Sequence, residues 1–162
     1  MNVFKSNSLA GVLVFMLLSG CVGYAPNDRM IGESKDTVIQ TLGKPSSELK
    51  SADGSILIFP RGPKGKHTFF VYLNEGGNVA RWSQVLDEKN FALIKPDMHR
   101  DEVVSIIGES KDTYGLARDR GYVWNYRFVN AQCFWFNIEF TKENRVRSAG
   151  YSMPPECRPK LR

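Results

Sequence analysis

The chain has 162 residues, of which 42% are apolar and 12% aromatic. That composition is ordinary for a globular fold and excludes a disordered or fibrous chain. The formal charge is +5. Outside Arg61-Gly62-Pro63-Lys64-Gly65-Lys66-His67 and the tail Arg158-Pro159-Lys160-Leu161-Arg162 it is thinly spread, which argues against a nucleic-acid partner.

In chain order, Lys5 precedes the apolar run Leu9-Ala10-Gly11-Val12-Leu13-Val14-Phe15-Met16-Leu17-Leu18. The run is too short to span a bilayer as a mature helix and reads as the core of a secretory signal over residues 1–20. The stretch Leu18-Ser19-Gly20-Cys21 resembles the lipobox of bacterial lipoproteins. That resemblance implies that cleavage leaves Cys21 as the N-terminus, carrying a diacylglycerol on sulfur and an N-acyl chain, with no other cofactor. Each buried methylene adds about 0.8 kcal/mol to membrane binding, so such an anchor is effectively permanent. No Asp follows Cys21, which by the same resemblance points to the periplasmic face of the outer membrane. There the basic segments would meet anionic lipid headgroups or an acidic protein face. Residues 21–28 form a short lipidated tether rich in turn formers.

With Cys21 acylated, Cys133 and Cys157 remain in an oxidising compartment, and a disulfide between them is expected. The alternative is a buried free thiol at Cys133, within its strand, and a loose tail around Cys157. There is no C-x-x-C, and His67 and His99 stand alone, so the spacing offers no metal site.

The body repeats itself. Asp36, Val38, Ile39, Leu42 and Gly43 match Asp101, Val103, Val104, Ile107 and Gly108. In both stretches the apolar residues fall on one face of a short helix that a glycine ends. Ser34 can cap the first helix, and Pro45 confirms its end. Strands follow at Ser47–Lys50 and Ile56–Phe59 around an Asp53-Gly54 turn, then at His67–Leu73 and Asn78–Trp82. The second copy gives strands at Tyr122–Phe128, Cys133–Phe140 and Arg145–Tyr151. Phe59, Phe69, Val71, Leu73 and Val79 align without a gap on Tyr126, Phe136, Ile138, Phe140 and Val146. Leu86–Ile94 reads as a short leading helix of the second copy. The fold class is α+β: a first repeat at 29–85, a second at 86–153 and a basic tail at 154–162. Units this small are marginal alone, so the two should pack as one body.

The pattern Asp97-Met98-His99-Arg100-Asp101-Glu102-Val103, Gly108, Trp124-Asn125-Tyr126, Phe140 and Arg145-Val146 resembles the BamE (SmpA/OmlA) family of small outer-membrane lipoproteins. The same unit in tandem is similar to the β-lactamase inhibitor proteins, which bind an enzyme on a concave sheet. The first resemblance implies a protein-binding scaffold in outer-membrane protein assembly or envelope integrity, with β-barrel assembly components as partners. The second implies an enzyme inhibitor, and a purely structural envelope lipoprotein is a third class. Two departures stand out: the BamE family usually carries one unit, and its Gly-x-Pro after the helix is kept at Gly43-Lys44-Pro45 but not at Gly108-Glu109-Ser110.

No catalytic motif is present, so the expectation is a non-enzyme. If Phe69, Val71 and Leu73 face the helix, period-two alternation puts Phe70 and Tyr72 on the other sheet face. The alignment puts Trp135 on that face in the second copy, near Arg127. Phe70, Tyr72, Trp135 and Arg127 are therefore the expected partner-binding residues. The alternatives are that the two copies bury these aromatics against each other, or that the register is slipped by one.

Overall fold

The computed structural model describes residues 23–118 and 120–157. The expected signal, Cys21 and the tail from Arg158 onward lie outside the described residues. Each repeat is a short helix followed by a four-stranded antiparallel sheet. The first comprises α1 (Lys35–Leu42), β1 (Ser47–Ser51), β2 (Gly54–Arg61), β3 (His67–Leu73) and β4 (Val79–Gln84). A single helical turn, α2 (Glu88–Phe91), leads into α3 (Arg100–Ile107), β5 (Asp112–Gly115), β6 (Tyr122–Arg127), β7 (Trp135–Phe140) and β8 (Val146–Ser152). Both sheets keep sequence order, β1-β2-β3-β4 and β5-β6-β7-β8.

Local chemistry sets the helix limits. Ser34 Oγ accepts from Thr37 N at 3.3 Å to start α1. His99 starts α3 with Nδ1 accepting from Asp101 N at 3.3 Å, while Glu102 Oε2 accepts from His99 N at 2.6 Å. Gly43 (φ 77°) and Gly108 (φ 76°) end the helices in a conformation that favours glycine. The connection out of α3 lacks the counterpart of Pro45 and is one residue shorter, yet it ends on the same bond. Ser46 Oγ donates to Ile58 O at 3.1 Å, and Ser110 Oγ donates to Asn125 O at 2.6 Å.

The repeats also agree in their remaining bonds. Lys35 N donates to Gly77 O at 3.0 Å, as Arg100 N does to Asn144 O at 2.8 Å. Val79 N donates to Glu33 O, and Val146 N to Met98 O, both at 2.9 Å. The pairing of third with fourth strand slips at matching places, Tyr72/Leu73 and Glu139/Phe140. Gly54 opens β2, and Gly121 directly precedes β6 at the matching place. A Cβ on either would strike a backbone carbonyl at that slip, Leu73 O or Phe140 O. Gly54 is thus needed for close approach, and the expected tight turn is formed by Ala52-Asp53, with Ser51 opposite Gly54.

Two apolar clusters hold the layers together. In one, Val38 and Leu42 of α1 pack with Leu57, Phe59, Phe69, Val71 and Leu73 on one face of the first sheet. In the other, Ile58 and Phe70 from the opposite face join Phe91, Val103 and Ile107 and the inner face of the second sheet, Trp124, Tyr126, Phe136, Ile138 and Phe140. Gly108 closes α3 directly against Thr68, Ile58 and Phe70. The order is therefore α1, first sheet, α3, second sheet.

This layering corrects the expected partner surface. Phe70 is 0% exposed and lies in the core, because α3 covers the face that alternation in β3 had left free. Tyr72 sits half-buried at the margin of the same cluster, with the Arg81 guanidinium 3.2 Å from its ring centroid. Two strand expectations also change. β5 was not anticipated: only Thr113 and Tyr114 in it favour strands, and pairing with Val123 and Trp124 holds it. β7 starts at Trp135, so Cys133 lies in the preceding loop, where its φ is 57°.

The N-terminal segment is fastened to the first repeat. Gly23 N donates to Thr41 O at 2.6 Å, Arg61 Nε donates to Tyr24 O at 3.0 Å, and Tyr24 Oη lies 2.7 Å from His67 Nδ1. Burial, and secondarily Lys66, lowers the His67 pKa below its ordinary 6.5.

Two tests address these packing arguments. Gly54→Ala and Gly121→Ala should each cost about 2 kcal/mol or more in urea unfolding, with Gly115→Ala, which has open space around it, as the neutral control. The folded state also binds fewer protons at His67 than the unfolded chain does. Stability should therefore fall as pH drops below about 6.5, and His67→Gln should flatten that slope.

Candidate functional site

With the first sheet covered on both sides, the second sheet keeps the one broad face that no helix crosses among the described residues. Register defines its rows. Tyr114, Val123, Glu139 and Ser148 lie side by side, then Asp112, Asn125, Asn137 and Gly150, then Arg127, Trp135 and Ser152. Tyr114 is 53% exposed, whereas Val123 and Asn125 lie low between the flanking strands. Asn137 Nδ2 donates to Asn125 Oδ1 at 2.6 Å, and Ser152 Oγ bonds Asn137 Oδ1. Arg147, at the start of β8, pairs with Glu139 at 2.6 Å. The middle of the face is a polar ladder with fixed side chains.

One end is closed by charge and by a disulfide. The Arg127 guanidinium lies 4.2 Å from the Trp135 ring centroid. It sits between Asp112 at 3.8 Å and Glu156 at 3.4 Å. Lys64, from the loop between β2 and β3, reaches Asp112 at 3.1 Å and ties the first repeat to this face. Arg127 Nε is buried without a hydrogen-bond partner. Cys133 and Cys157 are disulfide-bonded, with Cα atoms 6.3 Å apart, and this holds the turn carrying Glu156 beside Arg127. Asn130 braces the intervening loop: its amide donates to Phe134 O at 2.8 Å and accepts from Phe134 N at 2.9 Å. Lys66, Arg127, Trp135, Cys133 and Glu156 line a cleft of about 270 Å³.

Of the four expected partner-binding residues, Trp135 and Arg127 meet on this face, while Phe70 and Tyr72 belong to the interface between repeats. Sequence reasoning missed Asp112 and Glu156, and named Lys64 only as part of a basic segment. Glu156 had a legible signal, since a Cys133–Cys157 bond must bring its neighbour to the start of β7. The arrangement suits docking of a folded surface, with a cation stacked on an aromatic ring amid amides and carboxylates. Among the described residues, no group of His, Cys, Asp or Glu is placed to hold a metal ion, and no helix is long and apolar enough to cross a membrane.

The disulfide closes a sequence separation of 24 residues, so opening it should cost about 3 kcal/mol. Reductant should lower the melting temperature of the native chain and leave that of a Cys133→Ala/Cys157→Ala variant unchanged.

No protein-family model matches the chain, and no curated protein matches it. Among solved structures it is similar to a "putative beta-lactamase inhibitor protein" from Streptococcus mutans, at 10% identity over 74% of this chain and 82% of that one, with a TM-score of 0.32. It is also similar to an extracellular protein containing an SCP domain from Bacillus anthracis, at 14% identity over 96% of this chain, with a TM-score of 0.31. The chain spans 57% of the length of that second protein.

Proposed function

We propose that this chain is a non-enzymatic lipoprotein, anchored through acylated Cys21 to the periplasmic face of the outer membrane. The open face of its second sheet binds an envelope protein. The observation that carries the reading is the asymmetry of the layers: α1 and α3 cover both faces of the first sheet, and the second sheet keeps a face bearing Trp135, Arg127 and Tyr114. A lipid on Cys21 would confine the body near membrane-bound partners and raise their effective concentration. The BamE-like pattern of Trp124-Asn125-Tyr126, Phe140 and Arg145-Val146 supports β-barrel assembly components as those partners, in outer-membrane protein assembly or envelope integrity. An inhibitor would use the same face on a soluble enzyme.

The test is a pull-down of C-terminally tagged protein from detergent-solubilised envelopes, with Cys21→Ala and Trp135→Ala in parallel. The expected result is near-stoichiometric recovery of assembly components by the native chain. Cys21→Ala should move to the soluble fraction, and Trp135→Ala should lose about tenfold in partner recovery at an unchanged melting temperature. An unrelated enzyme in the eluate would favour the inhibitor reading. No partner at all, or recovery indifferent to Trp135, would remove the docking role.

A further inference from the structure

The far side of the β6–β7 loop carries a second cleft. Glu88, Phe128, Asn130, Gln132, Phe134 and Tyr151 line a space of about 350 Å³ between the start of α2, that loop and the end of β8. Its aromatic walls are held from behind. The Tyr151 ring packs on Phe136 and Phe128 with centroids 5.3 and 6.0 Å away, and Phe136 stacks on Phe91 at 4.3 Å. The Asn130 amide donates within the loop, to Phe128 O at 3.1 Å and Phe134 O at 2.8 Å. Both of those rings are therefore carried on a braced backbone. The polar tips at the cleft are unengaged. Among the described residues, neither the Glu88 carboxylate nor the Tyr151 hydroxyl has a hydrogen-bond or ion-pair partner. Burial, and then the Glu88 carboxylate, hold the Tyr151 phenol above its ordinary pKa, so it stays a neutral hydroxyl. Lys89 does not neutralise the site, because successive residues on a helix do not face each other and Lys89 lines only an adjoining groove.

One carboxylate among aromatic rings is the complement of an organic cation, which the ring faces attract. The cleft also continues beyond the reach of a small molecule. The adjoining groove, about 520 Å³, shares Glu88, Phe128, Asn130 and Gln132 with it, and Val129 stands in that groove 66% exposed. Phe128, Asn130 and Phe134 line the Arg127–Trp135 cleft as well, on the other side of the loop. That continuity suits a polypeptide lying across the loop. We propose that this cleft receives an arginine side chain of the docked partner, its guanidinium among the Phe128, Phe134 and Tyr151 rings and bonded to the Glu88 carboxylate. A guanidinium meets a carboxylate with two parallel bonds and stacks on aromatic faces, which a lysine ammonium does not match. The loop then has Arg127 on one side and Glu88 on the other, so a partner of matching charge docks in one orientation. The site stands on its own geometry, and its occupant rests on the docking role proposed above.

The test uses the Cys21→Ser chain, so that no lipid contributes, and Nα-acetyl-arginine amide as the probe. In nuclear magnetic resonance titrations the probe should saturably shift the Gln132 side-chain amide and the Tyr151 backbone amide. The lysine derivative should bind about tenfold more weakly. The citrulline derivative, which keeps the shape and loses the charge, should not bind. Glu88→Gln should weaken the arginine probe about tenfold at an unchanged melting temperature. Glu143→Gln, in the turn between β7 and β8, should have no effect. Equal binding of the lysine or citrulline derivative, or indifference to Glu88→Gln, overturns the proposal. In the envelope pull-down, Glu88→Gln in the otherwise native chain should lower partner recovery about tenfold. A probe that binds while partner recovery ignores Glu88 overturns the partner's arginine as the occupant. A probe that binds while the native chain recovers no partner removes the docking role, and this occupant with it.

Discussion

The structure depends on one helix, α3, having two sheets to pack against. Val103 and Ile107 are fully buried in the cluster that holds Ile58 and Phe70 of the first sheet and Trp124 and Tyr126 of the second. Tyr126 Oη adds a buried bond to Gly108 O at 2.7 Å, locking the end of the helix to its own sheet. Burial holds the Tyr126 phenol well above its ordinary pKa, so it stays a neutral donor. A helix plus four short strands buries little apolar surface and is marginal by itself. Stacking the second unit on the free face of the first removes that face from water. In this stack α1 covers one sheet, α3 serves two, and the outer face of the second sheet is left open.

That logic places the charges as well. Lys64 belongs to the first repeat, while Asp112, Arg127 and Glu156 belong to the second. The Lys64 and Glu156 side chains are about half exposed, so solvent screens these pairs and they contribute little net stability. Their effect is on register: the loop after β2 can lie in one position only against the start of β5. The disulfide then fixes the chain on the far side of Arg127, so the stacked Arg127–Trp135 pair is held from both directions.

Much of the repeat was legible in the sequence, because the features that define it are local. Gly43 and Gly108 end helices by conformation, and the gap-free match of Phe69, Val71 and Leu73 with Phe136, Ile138 and Phe140 marks one strand twice. The fate of Phe70 was not legible. Alternation in β3 says which residues share a face, but not whether a later helix returns to cover it. β5 escaped for a related reason: Asp112-Thr113-Tyr114-Gly115 owes its extended form to β6, a partner distant in sequence. The role of Gly54 was misread as a turn because its need for a missing side chain comes from Leu73 O, on another strand.

The fastening of the N-terminal segment limits how the proposed anchor can behave. Gly23 is bonded to the end of α1 and Tyr24 to Arg61, so the described chain is tied to the first repeat from Gly23 onward, two residues after Cys21. Two extended residues reach about 7 Å. A lipid on Cys21 would then hold the body almost flush with the bilayer, with α1 and the β2–β3 loop lowermost and little freedom to swing. The protein would behave as a post of fixed height rather than a buoy on a line. Partners would have to bring their own binding surface to that height, which selects for proteins that are themselves seated in the same membrane.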